Sequence, residues 1–437
     1  MTQTTSPPSV AFDAEGFQAF LSNRQEPDWL SDLRRQAWDH FEAMQWPERR
    51  HEEWIRSDLR LFQLKKHQLS LAASDDTEVR EQLTGGVDLG GQVTSVDNHI
   101  HTDTLAEDLA AKGVVFGSLD RLVNEHSDLI RKHLFSAFDP DYDRFAALHA
   151  AFFAGGQVLY VPKGVVIDRP LHIDSMLSNG GSDTGHTLIV LEEGAEATVL
   201  HESHSPTSDA GGLHVGALEI IQAPNSHLRF VDLQEWGHKC NHFAHQKARV
   251  GADASLQWTI AAMGAGFAKV NQTVELVGEG ASSQVNGVLS TEGRQHIAYH
   301  TLQHHIAPNC QSDFLYKSAQ QDHSRTVWRG MIKVDKAAQK TNGYQRNDNL
   351  VLSNTSRADS IPGLEIEADD VRCTHGSTTS KVDAEQIFYA LCRGFTRNEA
   401  VRMIVIGFFQ QIFDRITIES VREALGRSIA QQVRDYE

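Results

Sequence analysis

Cysteine is scarce in this chain: Cys240, Cys310, Cys373 and Cys392 are the only four in 437 residues. That number does not build a disulfide framework, so each thiol is expected to be free, either as buried packing or as a reactive group. Long apolar runs are also missing, and no stretch reaches the roughly 18 residues needed to span a bilayer. Residues Met1 to Pro8 have neither a basic start nor an apolar centre. They read as a short disordered tail rather than a signal peptide, and a cytoplasmic location is expected. Positive charge is in deficit, with Lys+Arg 40 against Asp+Glu 58 and a net charge of -18. Nucleic-acid binding and docking on an anionic membrane both need clustered cations, so neither partner is expected. No G-x-x-x-x-G-K-[ST] phosphate loop occurs, so the chain is not expected to hydrolyse ATP itself. There is no G-x-S-x-G nucleophile elbow. Gly85 to Gly91 is glycine-rich but does not fit the dinucleotide fingerprint.

What is present falls into three parts. In the first, 1–155, Trp29, Leu30, Leu33, Ala37, Phe41 and Met44 recur at helical spacing between Pro27 and Trp46, where Pro47 stops the helix. A second helical stretch runs from about Leu119 to Phe153, with a break near Pro140. From 156 to 382 short β-rich runs take over, among them Val158–Val161, Thr187–Leu191, Ala217–Ile221 and Leu228–Val231. Small-residue turns separate them at Gly194–Ala197, Ala223–Ser226, Gly251–Ala254, Gly280–Ser283, Ala307–Cys310 and Lys336–Gln339. The interval of roughly 27–29 residues is that of a stacked repeat. One such coil cannot bury its own apolar face, and stacking does so. The expected fold is therefore mainly β: a right-handed parallel β-helix between helical N- and C-terminal parts. A β-sandwich would favour Asn-Gly hairpin turns at the recurring positions, and these are missing. The last part, 383–437, is helical. Asp383 with Gln386 and Thr396 with Glu399 fit capping boxes, and Gly394 fits a C-cap. The segment Val401–Phe413 is apolar almost all round. It is expected to cover the solenoid end in part and to dock a partner in part.

The most informative local pattern is Asp370-Val371-Arg372-Cys373-Thr374-His375-Gly376-Ser377. Strand side chains alternate with a period of two, so Cys373 and His375 leave the same face. A thiol beside an imidazole is a metal-competent half-site, since zinc or an iron–sulfur cluster usually takes about four ligands. The missing half points to a second chain, and a buried Cys with a hydrogen-bonded His is the plain alternative. Glu365, Glu367 and Asp369 share strand parity with the pair, and such a face is equally an iron-holding one or a solvated edge. His238, Cys240 and His242 also alternate, but their spacing fits no common zinc pattern, and a polar outer face is the expectation there. His300, His304, His305 and Cys310 straddle a turn and lack a tight ligand spacing.

The stretch Asn349 to Phe413 resembles the C-terminal core of the SufB/SufD family, scaffold subunits of the SUF machinery for iron–sulfur cluster assembly. The matching text is Leu350-Val351-Leu352-Ser353, Ala358-Asp359-Ser360-Ile361-Pro362-Gly363-Leu364-Glu365-Ile366 and Ala368-Asp369-Asp370-Val371-Arg372-Cys373-Thr374-His375-Gly376. It continues through Asp383, Gln386, Phe388-Tyr389, Arg393-Gly394 and Ala400, and a weaker likeness covers nearly the whole chain. Trp46-Pro47-Glu48-Arg49-Arg50-His51-Glu52-Glu53-Trp54 resembles the N-terminal motif of the SufD branch. The sulfur-handling Cys of the SufB branch falls near Asn347. Thr378-Thr379-Ser380-Lys381 departs from this and reads like the SufB branch.

The resemblance implies a non-catalytic scaffold in a complex with a SufB-like paralogue, paired through the β-helices, and with a SufC-like ABC ATPase bound at the C-terminal helices. It places nascent cluster formation at His375 with Cys373 beside it, ligands being shared with the partner chain. The expected ATPase contact is Phe408, Phe409, Ile412 and Phe413. The isolated chain is expected to hold no cofactor tightly. Iron or an iron–sulfur cluster is transient in the complex, and reduced flavin is implied by the resemblance alone. Homodimerisation in the partner's absence stays open. The rivals are a SufB-type paralogue, a β-helix enzyme acting on polysaccharides, and a homodimeric structural protein without metal. The enzyme would want a secretion signal and a basic groove for an acidic glycan.

Overall fold

A computed structural model describes residues 8–48, 50–60, 62–73 and 83–432. The tail expected at Met1 to Pro8 lies, but for Pro8, outside the described residues, as does Arg49. From residue 156 onward the chain alternates between two ten-stranded sheets. One ends with Ser282–Thr291, Gln311–Gln320, Thr341–Val351 and Val371–Lys381; the other ends with His296–His305, Arg325–Val334 and Arg357–Ile366. Each strand pairs in parallel with the strand one coil further on. The second sheet takes eight strands from Gly156–Val161 to Arg357–Ile366, so the body is a parallel β-solenoid of about eight coils.

The recurring turns are the corners of these coils. Gly194, Asn225, Asp253, Gly280, Asn309 and Lys340 all have positive φ, one per coil. That conformation suits glycine and is tolerated by Asn and Asp, the residue types found at five of the six corners. Each corner N–H donates to the next coil: Asn225 to Ala252, Asp253 to Glu279, Gly280 to Pro308, Asn309 to Gln339 and Lys340 to Asp370. The corners therefore form a backbone ladder along the axis, and the repeat length follows from it.

Inside, strict register stacks like positions into columns. Leu171, Val199, Phe230, Trp258, Val285, Phe314, Gln345 and His375 form one. Ala197, Leu228, Leu256, Ser283, Ser312, Gly343 and Cys373 form another. Both columns begin apolar and turn polar or small toward the C-terminal coil. Their middle members are buried.

Helices cover the two outer faces. The helices Ala14–Ser22, Asp28–Ala43 and Arg144–Phe152 bury Phe17, Phe20, Trp38 and Phe152 against Leu213, Val215, Ala217 and Phe243. Asp28–Ala43 stops three residues before Trp46, because Met44 is already extended ahead of Pro47. The stretch expected as one broken helix is three, Leu119–Glu125, Ser127–His133 and Arg144–Phe152. The N-terminal part, expected to be helical throughout, also contributes Gly91–Val96, His99–Leu105 and Val115–Ser118 to the sheets. Its β-branched alternation, as in Gln92-Val93-Thr94-Ser95-Val96, pairs directly with the first solenoid strands.

On the opposite face lie Ala384–Cys392, Arg397–Phe413 and Glu419–Gln432. Thr396 and Glu399 form a full capping box, whereas Asp383 caps through Glu385 N–H rather than with Gln386. Helix Arg397–Phe413 packs Val401, Val405, Phe409, Ile412 and Phe413 against Leu200, Val231, Ala261, Val288 and Leu315. It therefore lies along the flank of a sheet and does not cover the solenoid end. Among the described residues no helix is long and apolar enough to cross a membrane.

Candidate functional site at the open end of the solenoid

Strand Val371–Lys381 pairs on one side only, with Thr341–Val351, and Arg357–Ile366 pairs only with Arg325–Val334. The last coil thus leaves a row of unpaired backbone groups on each sheet. Such edges are templates for strand addition unless they are blocked. Pro362 interrupts one of them, and Val371–Lys381 has no proline. Leu364 and Ile366 add exposed apolar side chains at this end.

Cys373 and His375 belong to the interior columns and are reachable because no further coil covers them. Cys373 is half-buried and packs with Ile332, Val334, Ala338, Ala368 and Val371. Its neighbour in the column is Gly343, where an added Cβ would lie 3.3 Å from the thiol sulfur and 3.2 Å from Ile332. Gly343 therefore makes the room that the sulfur occupies. Burial raises the thiol pKa above its ordinary value, and a hydrogen bond with the Gly343 backbone only partly offsets this. The resting group is a thiol, and a metal or an added cation is needed to turn it into a thiolate ligand.

His375 is exposed and lies in register with Gln345. Gln345 is fully buried, donating to the Gly330 and Gly363 carbonyls at 3.3 and 3.0 Å while its side-chain oxygen has no partner. Beside it Asn347, in register with Ser377, is buried and donates to the Tyr316 carbonyl at 3.4 Å. Gly343 and Gln345 were missed in the sequence. They lie 30 residues before Cys373 and His375, a distance the turn period approximates without fixing.

Of the carboxylates expected on this face, Glu365 is elsewhere. The strand ends at Ile366 and a corner intervenes before Val371, so parity does not carry across. Glu365 points away from the interior and pairs with Lys333 at 3.0 Å. Among the described residues no group of three or more His, Cys, Asp and Glu side chains converges to hold a metal. The pair stands as a half-set.

The other candidates disperse. Cys240 and His242 face the solenoid interior, not an outer surface. Burial pushes the Cys240 thiol up to about 11 and holds the His242 imidazole down near 4. His242 contacts His214 at 2.8 Å, and His238 lies outside the strand, 3.7 Å from Glu292. His300 meets Lys269, His304 meets Asp335, His305 meets Ser312, and Cys310 donates to the Gly278 carbonyl. These are four separate partners with no shared centre.

The expected ATPase contact is also corrected. Phe409, Ile412 and Phe413 are buried in the chain's own core, and Phe408 is half-buried beside Lys317. The available apolar surface centres one helix earlier: Phe388 is 67% exposed and Tyr389 61%, with Leu391 also exposed, and it continues through Phe395 of the connection to Met403 of helix Arg397–Phe413. Helix Arg397–Phe413 is apolar around its circumference because it is packed on several sides, which periodicity alone does not distinguish from docking.

Comparison with known proteins agrees with this architecture. Residues 175–408 match the family model described as SUF system FeS cluster assembly, SufBD core domain, and 18–173 match the SufBD protein N-terminal region. The chain is 27% identical over 414 residues to the iron–sulfur cluster assembly protein SufB of Bacillus subtilis, covering 91% of this chain and 88% of that protein. It is 27% identical over 431 residues to an iron–sulfur cluster assembly SufBD family protein of Synechocystis, covering 92% and 89%. A SufBD family protein of Staphylococcus epidermidis is 27% identical over 413 residues, covering 91% and 88%. The solenoid with its flanking helices belongs to the SufBD family of iron–sulfur cluster assembly proteins.

Proposed function

We propose that the chain is a scaffold subunit of the SufD type, working in the cytoplasm, which forms a nascent iron–sulfur cluster at its open solenoid end jointly with a second subunit. The last coil carries this reading: two edge strands each paired on one side only, with Cys373 and His375 of Val371–Lys381 ending interior columns. A SufB-like solenoid adding strands there would bury the free backbone groups and supply the ligands that two side chains lack. Iron and sulfide are cargo in this scheme, and deprotonation of Cys373 is coupled to their arrival. ATP hydrolysis belongs to a SufC-like partner, docked on Phe388 and Tyr389 rather than on the buried Phe409. The SufD type rests on Asn347, a buried amide near which the SufB branch, by the resemblance, has its sulfur-handling Cys. A SufB-type paralogue is the second reading, favoured by Thr378-Thr379-Ser380-Lys381.

The test is co-expression with SufB-like and SufC-like subunits, followed by purification and assay of iron and acid-labile sulfide. His375→Ala and Cys373→Ser should leave the complex assembled and lower the cluster yield by about tenfold or more. Undiminished yield in both variants refutes the proposal.

A further inference from the structure

Apart from the solenoid end, the described residues form a large groove whose chemistry the proposed function leaves unused. It has a volume of about 700 Å³ and lies where the N-terminal helical part meets the segment 46–65. That volume falls within the range of small-molecule sites. Five rings line it: Phe12, Phe41, Trp46, Trp54 and Phe62. Phe41 and Trp54 are buried, whereas Trp46 is 39% exposed. Trp46 stands edge-on to Phe41 and Phe62, at 6.3 and 6.0 Å between centroids, so its ring is held upright at the groove wall.

The charges in the groove do not balance. The Arg144 guanidinium sits 4.2 Å from the Phe41 ring centroid and 4.6 Å from that of Trp46. It donates to the Met44 carbonyl, its buried Nε has no hydrogen-bond partner among the described residues, and the Glu42 carboxylate acts on it only from beyond ion-pair distance. Arg56 and Lys65 are exposed on the rim, with no ion pair among the described residues. Arg60 and Arg325 are already neutralised, by Asp58 and Asp359, and Asp13 caps a helix. Among the described residues that line the groove, three cations without an ion pair therefore face two carboxylates without one, Asp13 and Glu48, in a chain whose net charge is -18.

A flat aromatic wall beside uncompensated cations complements a ligand that is itself flat, aromatic and anionic. The chain's own residues Thr2 to Pro7 offer neither a ring nor a carboxylate. We propose that this groove binds a mononucleotide, with the base against Trp46 and Phe62 and the phosphate among Arg56, Lys65 and Arg144.

The test is isothermal titration of the full chain with the 5′-monophosphates of adenosine, guanosine and uridine, with adenosine and inorganic phosphate as separate arms. At least one nucleotide should bind saturably with a Kd below about 1 mM, and adenosine and phosphate alone about tenfold more weakly. The double change Arg56→Gln/Lys65→Gln touches only exposed side chains, so it should leave folding intact and weaken binding about tenfold. Trp46→Leu should do the same, and thermal melts check that each variant is folded. The proposal is overturned if no nucleotide saturates. It is equally overturned if either half-ligand binds as tightly as the whole, or if both folded variants keep the parent affinity.

Discussion

Cys240 and Cys373 occupy the same kind of position, an inward-facing site on a solenoid strand, and end up with opposite prospects. Cys240 has coils on both sides and is 1% exposed. Its sulfur lies 3.6 Å from the Ala210 carbonyl and 3.7 Å from Ser205, and burial drives its pKa to about 11. Cys373 has a coil on one side only, and the neighbour there is a glycine. The same contrast separates Trp258, closed inside the Phe230–Val285 column, from His375 at that column's end. In a stacked fold the next coil decides whether an inward side chain is packing or a site. A terminal coil can present chemistry with no change in local geometry.

The largest effect should come from the closed region. Trp258→Ala empties a fully buried column position and should cost about 3–5 kcal/mol, whereas Leu364→Ala on the open coil should cost under about 0.5 kcal/mol. Comparable denaturant midpoints for the two variants would abolish the distinction between closed and open coils.

The second contrast sets two phenylalanines against each other. Phe409→Asp buries a charge in the flank core and should destabilise the chain by about 3 kcal/mol or more. Phe388→Asp should leave the melting temperature nearly unchanged and abolish capture of the SufC-like ATPase in a pull-down. Retained capture by a folded Phe388→Asp variant would move the docking surface away from this helix.

Acid should act on the closed coils next. His242, His296 and His305 are held near 4 by burial, against 6.5 when unfolded. Between pH 6.5 and 4 the unfolded chain binds more protons than the folded one, so stability falls as pH drops through that window. Asp183, raised to about 6 by burial, and Asp97, also raised, act in the opposite direction, while His149, His214 and His300, likewise lowered by burial, add to the three histidines. Melting temperatures that rise on acidification across this range would contradict the neutral buried histidines.

The smallest effect is kinetic. Under native conditions iodoacetamide should label exposed Cys392 first and half-buried Cys373 more slowly. Cys240 and Cys310 should react only on unfolding. Mass spectrometry of the digested chain reads all four sites, and native labelling of Cys240 would mean that the coils open.

Much of this was legible because it is local. The turn series gave the coils, since each corner needs a residue that tolerates positive φ, as at Gly194, Asn225 and Asp253. The period of two put Cys373 and His375 on one face, and Thr396 with Glu399 marked a helix start. What misled was parity carried across a corner, which placed Glu365 beside Cys373, and apolar content read as exposure, which placed Phe409 at a partner surface. His242 looked like a surface residue because histidine usually is one; the packing of neighbouring coils makes it an interior one.

The sequence by itself determined the repeat, the alternation and the common face of Cys373 and His375, because backbone sterics and side-chain period act within a few residues. Only the tertiary structure decided that Gly343 makes room for the Cys373 sulfur, that Gln345 lies under His375, and that both columns stop at an uncovered coil. Those facts depend on register between strands some 30 residues apart. Register is set by how whole coils stack, because each corner is free to vary by a residue or two while the columns must still align.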